Sequence, residues 1–263
     1  MIVNSKDIES RDFYHDFVCS KKPILIKAAF NSAELTRLIN DKKEEITPLY
    51  TRGAVPFLYT YFNHATIRDF VFNIPIIKQL LTDNNTQFRK NMRLWAHNQG
   101  NVSYFHYDQR STDLLNICLS GSKKWLFLPP EAPLRCWPFY NIALPFQKKK
   151  KKAAISMTME QGDIIYIPRN WFHQVITLED YTKNINIIFN DLADKKIEIR
   201  EKELAAIKHL LIPNYVYGDN IAIVNEAITQ VSLPTIFQRL LIELTPVILL
   251  IFIGFIFLWL FVI

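Results

Sequence analysis

The spacing of apolar positions changes along this chain, and the changes divide it. From Ile8 to Asn40 the pattern predicts a helical stretch around Phe13, Phe17 and Val18, a short apolar strand at Pro23–Lys27 and a second helix starting near Ser32. Asn31 or Ser32 can cap that helix, and Glu34 falls in its first turn, where a carboxylate complements the exposed amides. The aromatic run Phe57–Phe62 reads as strand, and Ile67–Leu81 as helix interrupted by Pro75, whose nitrogen has no hydrogen to donate. From Met92 onward short apolar runs alternate with turn residues: Met92–Ala96, Tyr104–Asp108, Leu114–Leu119, Lys123–Leu128, Asp163–Pro168, His173–Thr177 and Ile185–Asn190. Runs so short and so regularly punctuated predict a mainly β domain with flanking helices. The expected architecture is a double-stranded β-helix, or jelly roll, whose interior can hold a small cofactor.

Two helical stretches follow, Lys195–Ile212 and Ile221–Leu244, with Pro213 between them. The chain then runs from Pro246 to Ile263 as PVILLIFIGFIFLWLFVI, without a charge or an amide side chain. As a helix, about 18 residues at a rise of 1.5 Å reach roughly 27 Å, close to the hydrocarbon thickness of a bilayer. A core helix of a soluble protein keeps a polar stripe, and this segment is apolar on every side. It is expected to be a transmembrane tail anchor, inserted after translation. Lys208 and Arg239 precede it and no basic residue follows, so the bulk of the protein should stay cytoplasmic. The expected organisation is one domain over residues 1–195, a helical extension over 196–244 and the anchor over 245–263.

Composition supports one sizeable core: 263 residues, 49% hydrophobic and 21% charged. Part of the net charge of +6 is the run Lys148 to Lys152, which self-repulsion should hold out on a solvated loop. Such a run also attracts phosphate, on nucleic acid or on lipid. Cys19, Cys118 and Cys136 lie far apart and form no CxxC pair, which fits a reducing compartment. The opening MIVNSKDIESRDF has no apolar core behind a basic start, so no secretory signal is expected there. A Gly-rich phosphate loop, a GxSxG elbow and a zinc-like cysteine cluster are all missing from the sequence.

Candidate chemistry is concentrated in two stretches. In GNVSYFHYDQ, Gly100 to Gln109, His106 and Asp108 stand two residues apart, which on a strand points both side chains to one face. In QGDIIYIPRNWFHQV, Gln161 to Val175, a buried strand and a proline turn lead to His173 at the start of another strand. Two imidazoles and one carboxylate can cap one face of an octahedral metal ion and leave the opposite face open, the arrangement that non-haem Fe(II) oxygenases need.

These two stretches, with GSKKWLFLPP between them, resemble the signature blocks of the JmjC/cupin-like 2-oxoglutarate oxygenases, and KPILIKAAF resembles the strand entering that domain. The resemblance covers roughly residues 10 to 195. It implies Fe(II) held by His106, Asp108 and His173, and 2-oxoglutarate held by Lys123 and Ser103, with Asn116 and Asn190 as further contacts. Lys124 competes with Lys123, because a register slip of one residue exchanges the two faces of a strand. The tyrosine that often serves the cosubstrate in that family corresponds to Tyr59, Tyr61 or Tyr104. Trp125 and Trp171 match aromatic positions and are expected to pack; His15, His64, His97 and His209 fall outside the blocks and are expected to be structural or exposed. The function implied is hydroxylation of a protein side chain at a membrane. The alternatives are hydroxylation of a transfer-RNA base and a tethered binding module without turnover. A lysine demethylase ranks lower, since an anchor keeps the chain from chromatin. The helices after Asp191 fall where many relatives carry a dimerising pair, so a homodimer is expected.

Overall fold

The computed structural model describes residues 1–8, 13–41, 50–51, 60–62, 65–82, 86–88, 92–108, 112–132, 134–137, 140–145, 147, 153–191, 207 and 232–262. By backbone proximity the chain divides into two compact units, residues 1–133 with 145–195, and residues 134–144 with 196–263.

The first unit is a β-sandwich. Its strands are β1 (Ile2–Asn4), β2 (Ile24–Lys27), β3 (Tyr50–Thr51), β4 (Thr60–Phe62), β5 (Thr86–Phe88), β6 (Met92–His97), β7 (Asp113–Ser120), β8 (Ser122–Leu128), β9 (Ile155–Glu160), β10 (Ile164–Ile167), β11 (Phe172–Thr177) and β12 (Thr182–Asp191). Nine form a mixed sheet in the order β1-β2-β10-β7-β12-β6-β3, with β4 on β6 and β5 on β12. The other three form a small sheet, β11-β8-β9. Gly121 makes the corner where the chain leaves the large sheet for the small one. Its φ of +72° and the closeness of Thr182 Oγ1 to where a Cβ would stand leave room for no side chain.

Each central strand of the large sheet serves two cores. Leu115, Ile117 and Leu119 of β7, Ile185, Ile187 and Phe189 of β12, and Met92 and Leu94 of β6 face outward. There they are covered by Phe13 and Phe17, by Leu35 and Ile39 of the helix Ser32–Asp41, and by the helices Ala65–Phe72 and Pro75–Thr82. The alternate residues Leu114 and Cys118, with Ile188, face the small sheet and meet Trp125, Phe127, Met157 and Met159.

The sequence-based expectations meet this structure closely in several places. The helix at Ser32 is capped by Asn31, whose Oδ1 accepts from the Ala33 amide at 3.2 Å. The helical stretch after Ile67 breaks at Pro75, which opens a new helix as the first residue, where its missing donor costs nothing. Strand β9 was not among the expected seven, and Tyr104–Asp108 is not a regular strand. Instead it touches β11 through isolated bridges, Val102 to Ile176 and His106 to His173. Lys195–Ile212 apart from Ile207, and residues 221–231 of the stretch Ile221–Leu244, lie outside the described residues, as do Lys148 to Lys152.

In the second unit the helix Leu233–Val262 runs 30 residues. Its first turns tuck in Ile236 and Glu243, and Glu243 lies 3.7 Å from Arg239 one turn earlier. Beyond Pro246 the described apolar side chains are exposed, from 39% at Val247 to 67% at Phe255. Pro234–Phe257 is long and apolar enough to cross a membrane.

Candidate metal centre

His106 and His173 arrive at one place through an offset in register. Between the two bridges the chain uses four residues from Val102 to His106, against three from Ile176 to His173. The extra residue is a bulge at Tyr104–Phe105, and it places His106 rather than Phe105 opposite His173. The two backbones then exchange both hydrogen bonds, His106 N–H to His173 O at 3.0 Å and His173 N–H to His106 O at 2.7 Å. Directly opposed residues of an antiparallel pair share a face, so the rings meet with centroids 4.3 Å apart.

Each imidazole is oriented by the carbonyl two residues before it. His106 Nδ1–H donates to Tyr104 O at 2.8 Å, and His173 Nδ1–H donates to Trp171 O at 3.1 Å. A carbonyl can only accept, so both rings carry a proton on Nδ1, which leaves Nε2 as the atom of each that a metal ion would take. Asp108 completes the group, with Oδ2 3.5 Å from His173 Nε2. One ligand atom from each of the three residues lies within 4.8 Å of the others. Donors on adjacent corners of an octahedron around an ion at about 2.1 Å stand about 3 Å apart. The two-imidazole, one-carboxylate set therefore fits a divalent transition metal after a small contraction. Burial, and next the neighbouring His173, push the His106 pKa down to about 4, so at neutral pH it is an uncharged ligand.

The turn that delivers His173 is itself anchored. Asp113 on β7 accepts from Tyr166 Oη at 2.8 Å, from the Arg169 amide at 3.0 Å and from Arg169 Nε at 2.9 Å, and it pairs also with Arg169 Nη2. Both members are buried. The fork-to-carboxylate geometry thereby fixes residues 168–171, and with them the carbonyl that orients the ligand.

Ladder register separates the two candidate lysines. On β8, Lys123, Trp125 and Phe127 stand opposite Thr177, Val175 and His173 of β11, so Lys123 shares the face of the metal ligand. Lys123 is 2% exposed; Lys124 points the other way and is half-buried. The Lys123 Nζ lies 3.1 Å from His97 Nδ1 and bonds Asn184 Oδ1, and neither is an anion. Burial without a carboxylate beside it pulls its pKa down to about 7.

Asn116 stands opposite Asn186 on the inner face of the large sheet and donates to its Oδ1. Its own Oδ1 is buried and meets no partner among the described residues. Trp125 Nε1 is in the same position, with the ring stacked on Phe127 at 5.9 Å and 5.9 Å from the His173 ring. Ser103 is buried beside β11, where its Oγ accepts from the Val175 amide at 2.7 Å. That bond ties the bulged segment down and leaves the hydroxyl hydrogen to donate elsewhere.

Several expected residues fall elsewhere. The Asn190 side chain lies outside the described residues, as do Tyr59 and the side chain of Tyr61. Tyr104 is 47% exposed and serves the site through its carbonyl. His97, expected to be structural or exposed, is buried against Lys123. Continuing the alternation Arg93, Trp95 by one step would have placed it inside. Asn184 was also missed, because the expected strand began at Ile185 and the real one begins at Thr182.

Comparison with known proteins agrees with this geometry. A model of the cupin-like domain matches residues 49–195. The arginine-specific demethylase JMJ22 of Arabidopsis thaliana is 31% identical over 101 residues, 31% of this chain and 19% of that protein. The 2-oxoglutarate and iron-dependent oxygenase JMJD4 of Mus musculus is 27% identical over 130 residues, 44% and 30% of the two chains. The JmjC domain-containing protein C of Dictyostelium discoideum is 25% identical over 173 residues, 57% and 38%. The matched stretches thus span less than two fifths of these relatives' own length.

Proposed function

The chain belongs to the cupin-like domain family, and from that premise we propose that it is an Fe(II)- and 2-oxoglutarate-dependent oxygenase that hydroxylates a protein side chain at a membrane. The observation that carries this reading is the pair of opposed imidazoles, each tied through Nδ1 to a backbone carbonyl, grouped with Asp108 so that one ligand atom of each residue lies within 4.8 Å of the others. A ferrous ion and the keto acid bound there supply the oxidation, in which one oxygen atom of O2 goes to the substrate and the other to succinate as CO2 leaves. His106, Asp108 and His173 hold the ion. The Lys123 ammonium, which lacks an anionic partner in its described bonds, receives the far carboxylate, and Ser103 and Asn116 offer further polar contacts. The apolar cluster around Phe127, Met157 and Met159 keeps water from the same interior. The names of the relatives, a 2-oxoglutarate and iron-dependent oxygenase and a demethylase, support the reaction class.

The test is an absorbance spectrum taken without oxygen. Adding Fe(II) and 2-oxoglutarate to the purified chain should raise a metal-to-ligand charge-transfer band that H106A lacks. A wild-type chain without the band would sink the proposal.

Membrane attachment through Leu233–Val262 and a homodimer through residues 196–244 belong to the same proposal. Fractionation of cells should place the chain in the carbonate-resistant pellet, and scattering from the detergent-solubilised chain should report twice the monomer mass. The substrate should emerge as a membrane-proximal protein that gains oxygen beside the active chain and not beside D108A. The run Lys148 to Lys152 that suggested RNA lies outside the described residues.

A further inference from the structure

We propose that the segment Leu134–Leu144 docks on the anionic headgroups of a bilayer, with Trp137 and Tyr140 seated where headgroups meet acyl chains. This docking presupposes the membrane attachment through Leu233–Val262 and adds a second contact with the same surface.

The segment folds back on itself. Cys136 and Ala143 form a bridge, the Trp137 amide donates to Ile142 O at 2.8 Å, and the Leu144 amide donates to Arg135 O at 2.8 Å. The Tyr140 amide donates to Trp137 O at 3.1 Å, which brings both aromatic residues to one tip. Ala143, at the base, is buried, whereas Trp137 is 44% and Tyr140 59% exposed. A single large side chain left outside is ordinary, but two on one turn above a packed base make a patch. Their types matter as well. Trp and Tyr collect at membrane–water interfaces because each joins a flat apolar ring to an N–H or O–H that stays wet.

Position says which surface covers the patch. By backbone proximity Leu134–Leu144 belongs to the same compact unit as the helix Leu233–Val262. Glu243, the last charge before the apolar run, is buried, and Val247 four residues later is exposed. Four residues rise about 6 Å along a helix, and one headgroup layer is about 5–8 Å deep. The protein that covers Glu243 therefore reaches into the headgroups, and no linker holds this unit away from the bilayer. Phe237 and Leu241, upstream of Glu243, are exposed too, so apolar surface continues onto the outside of the unit.

Charge selects the lipid. Between Glu131 and Glu160 the sequence holds Arg135 and Lys148 to Lys152 and not one carboxylate side chain. A stretch so one-sided is drawn to the negative leaflet by charge alone, which asks no particular conformation of the lysines.

The experiment uses the full-length chain in vesicles of phosphatidylcholine, with and without phosphatidylserine, that carry a nitroxide on a fraction of the headgroups. W259F serves as the reference, because it removes the tryptophan of the anchor itself. With phosphatidylserine present, the nitroxide should quench a blue-shifted emission component that W137F/W259F lacks. That component should weaken in pure phosphatidylcholine and in high salt. A chain that does not float with the vesicles removes the membrane attachment. A chain that floats, with W259F and W137F/W259F quenched alike, overturns the docking alone, as does a Trp137 component still open to aqueous acrylamide, the result expected if a protein partner covers the tip in the cell. Equal quenching with and without phosphatidylserine overturns the anionic partner.

Discussion

The two faces of the large sheet are made by the same strands and have little else in common. On β7, β12 and β6 the outward residues form a seamless aliphatic layer under helices, Leu115, Ile117, Ile185, Ile187 and Leu94 among them. The inward residues of those strands include Asn116, Asn184, Asn186 and His97, all buried, facing a sheet that contributes Lys123 and Trp125. Apolar burial needs no partner of particular shape, whereas each buried polar group needs one. A fold that only had to be stable would have made both faces like the first. The second face is less stable in its own right and poised for a ligand.

The contrast can be broken most sharply from the outer side. L115A removes a fully buried side chain from the helix-covered face and should lower unfolding stability by about 2–5 kcal/mol, while the folded fraction keeps wild-type affinity for metal and 2-oxoglutarate. Denaturant melts beside binding titrations check both halves. On the inner face K123M should do the reverse. Removing a buried ammonium that lacks a counter-charge leaves the melting temperature level or higher, and weakens 2-oxoglutarate by about 10- to 100-fold, the worth of a charged hydrogen bond.

A smaller effect follows from pH. With the folded Lys123 pKa lowered to about 7, the unfolded chain binds more protons between pH 7 and its ordinary value near 10.5. This group therefore makes ligand-free stability rise with pH across that window. Carboxylate binding needs the charged ammonium, so affinity for 2-oxoglutarate should fall over the same window, by up to about tenfold per unit. Calorimetry at pH 6.5, 7.5 and 8.5 on wild type and K123M checks the opposed signs, which K123M should abolish together. The smallest change is S103A, which strips the acceptor from the Val175 amide and should cost about 1 kcal/mol of stability.

Much of this division could be read from the chain, because alternation with a period of two is a local property. The runs around Leu114–Leu119 and Ile185–Asn190 announced strands, and the interruptions at Asn116 and Asn186 announced a face that was not simply core. His106, Asp108 and His173 could be picked out because two of three ordered blocks carry them. Strand β9 escaped because ISMTME offers only two buried residues, Met157 and Met159, between polar neighbours. His97 escaped because its partner Lys123 comes 26 positions later, and nothing near Asn98 and Gly100 marks the strand as reaching that far. The choice between Lys123 and Lys124 could not be made from the run itself, since register is a relation between strands.

Relations of that kind also govern how the chain can change. The surplus residue between Val102 and His106 makes the metal centre a matter of counting. With the bulge held at one residue, an insertion between Val102 and Phe105 would carry Phe105, not His106, to the place facing His173, with every neighbouring side chain still of the right type. Substitutions nearby can be absorbed one at a time, but an added residue there switches the chemistry off in a single step, and a compensating deletion would be needed to bring it back.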